Sequence, residues 1–426
     1  MSQYLERHSL YPPLISSLPA AELGMVIIIP AFNEPDCQSS LQALADCTPP
    51  RCAVEVILLL NDAENSAPHI QALHQQQLPA LRQWAEAHNR PGLQFHILHC
   101  AKLPARHAGV GLARKIGMDE ALRRLLQVKR PDGLLVAFDA DSRCTPNYLQ
   151  AIEQHFAQSP RCPAASLYFE HPLSGCDFPP AIYQAITEYE LHLRYFNNAK
   201  RYAGFPFAYE TVGSAMAVRA SAYAQQGGMN RRKAGEDFYF LHKFTPLGHY
   251  GEINDTCVIP SPRISDRVPF GTGRAVGQLL DSNIPLTTYA LPTFEALRGF
   301  FAAIESWYDC SPAQAEAQLV GLAPPLAQFL VQQQFRDKLE ELQRHTSNPA
   351  SFRQRFFRWF NAFRIMKYVH AAREAAYPAV PVMVAAGQLA EQLSGEPRGG
   401  AAAAEELLIW CRGLGRDKRW GVYVNG

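Results

Sequence analysis

Hydrophobic residues in the first 140 positions fall into short continuous runs separated by longer mixed segments. The four runs cover residues 25–30, 54–60, 93–98 and 134–138. The run 25–30 is continuous and rich in β-branched residues, so it predicts a strand buried on both faces, as in a parallel sheet, and the other three runs predict further strands. The mixed segments 70–89 and 110–128 predict helices. Strands that alternate with helices indicate βαβ units, so we expect an α/β fold with a doubly wound, mostly parallel sheet.

The pattern beyond residue 141 is less regular. It predicts a strand at 164–170 and helices at 151–158, 180–197, 221–226 and 235–244. Proline and glycine in segments 258–262 and 270–273 predict loops. From residue 292 onward the chain is rich in Ala, Gln, Leu and Arg, with a Gly/Ala-rich loop at 394–404. We therefore expect a first domain over residues 1–281 and a helical accessory region over residues 282–426.

Composition and charge exclude several classes of protein. Forty Lys and Arg against 39 Asp and Glu give a net charge of +1, which argues against a nucleic-acid binder. The ten cysteines contain no Cys-x-x-Cys pair, so neither a disulfide framework nor a cysteine zinc site is indicated. No apolar leader and no run of about 18 apolar residues is present. We expect a cytoplasmic protein with no integral membrane segment.

Polar side chains follow three of the predicted strands directly. Asn33 and Glu34 follow the first, Asp62 follows the second, and Asp139 and Asp141 follow the fourth. Ligands of doubly wound sheets bind outside the carboxyl ends of the strands, where these residues lie. Two aspartates one residue apart can face one hard cation such as Mg²⁺ or Mn²⁺, which in turn neutralises a diphosphate. The alternative is that these residues only cap loops and helices.

A further pair of carboxylates, Glu236 and Asp237, opens a short predicted helix. A carboxylate at a helix start is stabilised by the helix dipole, which needs no other role. The alternative is a carboxylate held ionised so that it takes a proton from an attacking hydroxyl group.

These clusters, taken in order, resemble the family-2 glycosyltransferases with the GT-A fold. The matching segments are the opening 28–34, Asp62, the glycine-containing stretch 108–117, Asp139-Ala-Asp141 and Glu236-Asp237. The resemblance covers roughly residues 24–275 and rests on order and spacing. It implies a nucleotide-diphospho-sugar transferase fold and transfer of a sugar from a nucleotide-diphosphate sugar to a hydroxyl-bearing acceptor, assisted by Mn²⁺ or Mg²⁺. Most members of that family are inverting.

The resemblance also implies roles for individual residues. Asp139 and Asp141 would hold the metal, and Asp237, with Glu236 beside it, would be catalytic as the single general base. Donor binding would fall to Pro30, Asn33, Glu34, Asp62, Arg114 and Asp139. Two departures stand against the pattern: the segment after the second strand is Asn61-Asp62-Ala-Glu64, and Lys115 occupies a position where the family usually has Asn.

A basic segment at residues 261–274 takes the place of the Gln/Arg-x-x-Arg-Trp motif of processive members, which is absent. Its residues Arg263, Arg267 and Arg274 would close over the diphosphate and add to the donor site. The alternative is a solvated basic loop. The absence of the processive motif argues against polymer synthesis through a membrane channel.

Aromatic residues in segment 353–368 form a helical stripe flanked by arginines. One interpretation is contact with an anionic membrane surface or a lipid-linked acceptor, which would make the protein peripheral at the inner membrane surface. The other, which we favour, is that the stripe packs against the protein while its arginines stay hydrated. The acceptor is expected to be a saccharide, a lipid-linked molecule or a small molecule.

Two other functions remain as alternatives. A nucleotidyltransferase shares the sheet and the metal-binding carboxylates, but it usually needs a glycine-rich basic loop after the first strand, whereas residues 31–35 are acidic and contain no glycine. A non-catalytic nucleotide-sugar-binding protein would have no need of a base such as Asp237.

Overall fold

The computed structural model describes residues 1–267, 271–282, 284–395 and 404–417. The strands are β1 Leu23–Ala31, β2 Ala53–Ala63, β3 Leu93–Leu103, β4 Leu134–Ala137, β5 Arg143–Cys144, β6 Ala164–Phe169, β7 Met216–Arg219, β8 Gly251–Ile259, β9 Thr287–Thr288 and β10 Val380–Pro381. The helices are α1 Ser2–His8, α2 Gln38–Ala45, α3 Pro68–His88, α4 Val110–Gln127, α5 Tyr148–Gln158, α6 Pro180–Tyr202, α7 Ala220–Gln225, α8 Glu236–Leu241, α9 Thr272–Ser282, α10 Leu291–Ala302, α11 Pro312–Val320, α12 Pro324–Gln332, α13 Phe335–Arg344, α14 Pro349–Trp359, α15 Ala362–Ala375, α16 Val382–Ser394 and α17 Ala404–Arg416. The predicted α/β class with a helical C-terminal region is confirmed.

The main sheet has eight strands in the order β3-β2-β1-β4-β7-β6-β8-β5. The first four are parallel to one another and have the 3-2-1-4 order of doubly wound sheets. The other half is mixed, because β7 is antiparallel to both β4 and β6 while β8 is parallel to β6. Since β1, β2 and β4 are parallel, the residues that follow them lie at one edge of the sheet.

The continuous apolar runs lie in the centre of this sheet, as their composition predicts. Val26, Ile27, Ile28 and Ile29 of β1 are fully buried, and Ile28 pairs in register with Ile57 of β2. Side chains of α4 join Val26 and Ile28 in one buried cluster. A strand covered on both faces has no solvent face that would call for polar residues, which explains the lack of alternation.

The chain divides into two compact units, each built from two segments. The first contains residues 1–172 and 210–274 and holds the eight-stranded sheet; the second contains residues 173–209 and 275–426. Helix α6, which the sequence pattern places in the first domain, lies in the second unit and packs there against α16 and α17. The domain boundary at residue 281 stays a prediction.

The aromatic stripe of segment 353–368 lies on two helices. Asn361 caps α15 by accepting a hydrogen bond from the backbone amide of Arg364, so α14 ends before it and the segment is not one continuous helix. Phe356 and Phe360 are fully buried in the second unit, where both pack against Phe300. These two rings of the stripe therefore pack inside the second unit, whereas Phe363 is 44 % exposed, and contact with a membrane surface stays a prediction.

No helix in the described ranges combines the length and apolar character needed to cross a membrane. The predicted loops at 270–273 and 394–404 lie partly outside the described residues, which omit 268–270 and 396–403, and the first of them is wrong at its end because α9 begins at Thr272. The predicted loop at 258–262 is wrong at its start, because β8 continues to Ile259 and pairs there with β5. Cys257 and Val258 are buried, so this end of the strand is part of the core.

Candidate functional site

Two carboxylates and two arginines meet at the carboxyl edge of the parallel strands. Both Arg263 and Arg267 donate hydrogen bonds to Oε2 of Glu34 and to Oδ2 of Asp141. Arg267 lies 2.9 Å from each of these oxygens, and Arg263 lies 3.1 Å from Asp141. We call these four residues the loop-arginine cluster, because both arginines belong to the loop that follows β8.

The electrostatics of this cluster follow from burial. Glu34 comes directly after β1 and its side chain is 3 % exposed, whereas the side chains of Arg263 and Arg267 are 22 % and 23 % exposed. Burial and the neighbouring Asp141 raise the pKa of Glu34, while Arg263 and Arg267 oppose the rise. The cluster thus holds two acids together with the help of two partly hydrated cations.

A second group, the helix-arginine cluster, consists of Arg114, Asp139, Glu236 and Asp237. The guanidinium of Arg114 on α4 donates to Oδ1 of Asp139 through one nitrogen and to Oε1 of Glu236 through the other. Arg114 and Glu236 are almost completely buried, while the side chain of Asp139 is 36 % exposed. Gly213 makes room for the guanidinium, since a Cβ there would lie 2.5 Å from its nitrogens.

Three carboxylates share this one arginine. Burial raises the pKa of Glu236 to about 7; Arg114 opposes the rise and Asp237 adds to it. Burial also raises the pKa of Asp237, against the opposing charge of Arg114. Asp237 is half-buried, and its Oδ1 accepts a hydrogen bond from the amide of Phe238. Asp237 is therefore the more accessible of the two acids and is oriented by the start of α8.

Asp139 and Asp141 each keep one carboxylate oxygen without a hydrogen-bond partner in the described part of the chain. Asp139 uses Oδ1 for Arg114, and Asp141 uses Oδ2 for the loop arginines. Both side chains are partly exposed. A hard divalent cation prefers carboxylate oxygens of this kind, so the pair fits Mg²⁺ or Mn²⁺ with water and phosphate oxygens as the remaining ligands.

The glycine-containing stretch at the start of α4 is covered by another loop of the same unit. A Cβ at Gly111 would lie 2.4 Å from the carbonyl oxygen of Arg232, and the Gly111 amide donates to that same oxygen. The glycine is needed here for close contact between two backbones. The close contact fixes the start of α4, the helix that carries Arg114.

Pro30 and Asn33 flank the loop-arginine cluster. Pro30 lies in β1 in register with Leu59, and Asn33 has a φ of 49°, in the left-handed region that asparagine tolerates better than most residues. This turn directs the chain so that Glu34 points to the arginines. Arg274, by contrast, pairs with the exposed Asp266 and does not reach either acid of the cluster.

Asp62 shares no hydrogen bond with either cluster in the described ranges and has its own partners. Its Oδ2 lies 2.8 Å from Nε2 of His99 and 3.5 Å from Nδ1 of His74, and its Oδ1 accepts from the backbone amide of Lys102. Neither histidine is predicted as a site residue from the sequence. The position of His99 towards the end of a strand would have been the only signal, and nothing in the spacing links it to His74.

The structure therefore brings together eight of the predicted site residues in two clusters joined by Asp139 and Asp141. When all are ionised, five carboxylates face three arginines and leave an excess of two negative charges. One divalent cation would neutralise this excess of two negative charges, and the guanidinium groups of the arginines can donate hydrogen bonds to the oxygens of a diphosphate. The roles assigned to the single residues stay predictions.

Comparisons with known proteins give a likeness only to solved structures. No family model and no curated protein sequence matches the chain. The structure of S. aureus TarS 1-349 in complex with UDP-GlcNAc is similar at 13 % identity and a TM-score of 0.41, over 80 % of this chain and 93 % of that chain. The complex of the same TarS segment with UDP gives 12 % identity and a TM-score of 0.39 over the same shares of the two chains. The longer structure of S. aureus TarS is similar at 12 % identity and a TM-score of 0.38. That match covers 68 % of this chain and 45 % of the TarS chain.

Proposed function

We propose that the chain is a glycosyltransferase that moves a sugar from a nucleotide-diphosphate donor to a hydroxyl group of an acceptor. The observation that carries this proposal is the meeting of Asp139, Asp141 and three arginines at the edge where parallel strands end. Such a site pairs carboxylates for a metal with cations for a diphosphate, and it sets an accessible acid, Asp237, beside them. The sequence resemblance to the family-2 glycosyltransferases implies the same roles for the carboxylates and for Asp237.

Asp139 and Asp141 would hold a divalent cation, Mn²⁺ or Mg²⁺. When bound, this ion supplies positive charge that stabilises the diphosphate leaving group. Arg263 and Arg267, which are partly hydrated and carried by a loop, would exchange their contacts with Glu34 and Asp141 for the diphosphate oxygens. Arg114 is buried and would keep Asp139 in place.

The reaction would need one protein base. The acceptor oxygen attacks the anomeric carbon of the sugar, the bond from that carbon to the diphosphate oxygen breaks, and the hydroxyl proton passes to the carboxylate of Asp237. Burial raises the pKa of Asp237, which makes it a stronger base than a hydrated aspartate. Glu236 would act as a positioning residue, because its carboxylate is paired with Arg114. Attack from the face opposite the diphosphate would invert the anomeric configuration.

A donor panel tests the function. UDP- and GDP-sugars are incubated with the full chain and either Mn²⁺ or Mg²⁺, and release of the free nucleoside diphosphate is measured with saccharide, lipid-linked and small-molecule acceptors. We expect release with at least one donor and its loss in EDTA. Tight donor binding without turnover over every acceptor would favour a non-catalytic binding protein, and pyrophosphate release from a nucleoside triphosphate would favour a nucleotidyltransferase.

The role of Asp237 is tested by Asp237→Asn, with Asp46→Asn as the matched control because Asp46 is an exposed acid of the same unit. We expect a loss of turnover of about 10²–10⁴-fold for Asp237→Asn, while calorimetric donor affinity stays within about threefold. Asp46→Asn should leave both quantities unchanged. Equal losses of donor affinity and turnover would remove Asp237 as the base and leave the transferase function itself in place.

A further inference from the structure

Three side chains from separate elements converge near the end of β2. They are Asp62 on that strand, His74 on α3 and His99 on β3, and their nearest ligand atoms all lie within 4.8 Å of one another. The side chains of His74 and Asp62 are 0 % and 2 % exposed, while that of His99 is 20 % exposed. The group is therefore buried on two sides and reachable from solvent through His99.

The spacing agrees with a small coordination shell. In a tetrahedral zinc site with bonds of about 2.0–2.2 Å, neighbouring ligand atoms lie about 3.3–3.5 Å apart. Oδ2 of Asp62 lies 2.8 Å from Nε2 of His99 and 3.5 Å from Nδ1 of His74, and the ligand atoms of the three residues all lie within 4.8 Å of one another, so small side-chain shifts would bring them to this spacing. The Lys102 amide on Oδ1 supplies the outer hydrogen bond that orients a ligating carboxylate.

We propose that Asp62, His74 and His99 form a binding site for a zinc-class transition-metal ion, with a fourth position open to water or a ligand. Two imidazoles and one carboxylate are typical of Zn²⁺ and related ions, whereas Mg²⁺ prefers oxygen ligands alone. The site is thus chemically distinct from the carboxylate pair Asp139 and Asp141, and it does not depend on the proposed transferase function. If Asp62 ligates a metal ion, its Oδ2 is not available to a donor nucleoside.

The test is metal binding by the full-length protein. The protein is stripped with a chelator, a large excess of Mg²⁺ is added to occupy oxygen-only sites, and Zn²⁺ or Co²⁺ is titrated in while calorimetry and the visible absorption of Co²⁺ are followed. We expect one equivalent to bind, with Co²⁺ bands of a four- or five-coordinate site. His74→Ala and Asp62→Asn should each weaken binding by at least about tenfold, since each removes a ligand.

A matched control comes from the same helix. His69 of α3 is exposed, so His69→Ala should bind Zn²⁺ as tightly as the wild type does. If His74→Ala is not folded by circular dichroism, His99→Gln replaces it, because His99 is partly exposed and less important for packing. Failure of the wild type to bind Zn²⁺, or equal affinities for His69→Ala and the ligand variants, would show that the group is only a hydrogen-bonded cluster and would overturn the proposal.

Discussion

Replacing Arg114 by Met tests the electrostatic role assigned to the helix-arginine cluster. Met has a similar length and no charge, so Arg114→Met removes both hydrogen bonds while largely preserving volume. It leaves Glu236 buried with no cation beside it. Removing one partner of a buried ion pair generally costs about 3–5 kcal/mol of the free energy of unfolding, because the other charge stays desolvated.

The exposures of the two acids determine how this cost is divided. Asp139 is 36 % exposed and can be rehydrated once Arg114 is gone, so its share is small. Glu236 is 3 % exposed and carries most of the penalty. Without Arg114 the pKa of Glu236 rises further, since that arginine opposes the effect of burial. Protonation then relieves the buried charge, and the loss of stability is expected to be larger at pH 8 than at pH 5.5.

Urea denaturation followed by circular dichroism at both pH values measures the effect, with the change expected in the unfolding of the first unit. Adding Glu236→Gln to Arg114→Met should recover much of the stability at pH 8, leaving a deficit of about 1–3 kcal/mol for the unpaired amide. A loss below about 1 kcal/mol at pH 8 would refute the reasoning. An equal loss at both pH values, with no recovery in the double variant, would refute it as well.

Two further variants test burial in each unit. Burial raises the pKa of Glu236 from 4.5 to about 7, so the stability of the wild type relative to Glu236→Gln should be greatest below pH 4.5 and should fall as the pH rises through about 7. Urea titrations that give the same difference in stability at every pH would contradict this. Phe300→Ala removes a fully buried ring from the aromatic core of the second unit and should lower the free energy of unfolding by about 3–5 kcal/mol. Glu295 is exposed on the same helix, so Glu295→Ala should change that free energy by less than about 0.5 kcal/mol. Similar values for the two variants would contradict the packing argument.

The central strands could be predicted from the sequence because burial on both faces removes polar residues from them. Strands β1, β2 and β4 are of this kind, and the pattern predicts each within a few residues of its bounds. The pattern misses strand β8 because the middle of that strand contains Asn254 and Asp255, which interrupt the apolar run. Strand β5 has two residues and carries no periodic signal at all. Local pattern therefore predicts the centre of the sheet and fails at its far edge.

The candidate site was predictable to the extent that topology alone determines it. Parallel strands place Glu34, Asp139 and Asp141 at one edge, so their convergence follows from strand order. Which cation meets which acid does not follow, since the loop arginines lie 122 and 126 residues from Asp141 in the chain. The histidines at Asp62 were missed for the same reason, because 12 and 37 residues separate them from it.

The two arginine clusters differ in how readily a ligand can replace their contacts. The loop arginines are 22 % and 23 % exposed and their partner Asp141 is 21 % exposed, and partly hydrated ion pairs contribute only about 0–1 kcal/mol each, so a diphosphate can draw these side chains from Asp141 at little cost. Their contacts with Glu34 cost more to replace, because the side chain of Glu34 is 3 % exposed. Arg114 is 3 % exposed, and separating it from Glu236 would cost several times more. Exposure thus assigns ligand capture to Arg263 and Arg267 and assigns to Arg114 the maintenance of Asp139 in the site.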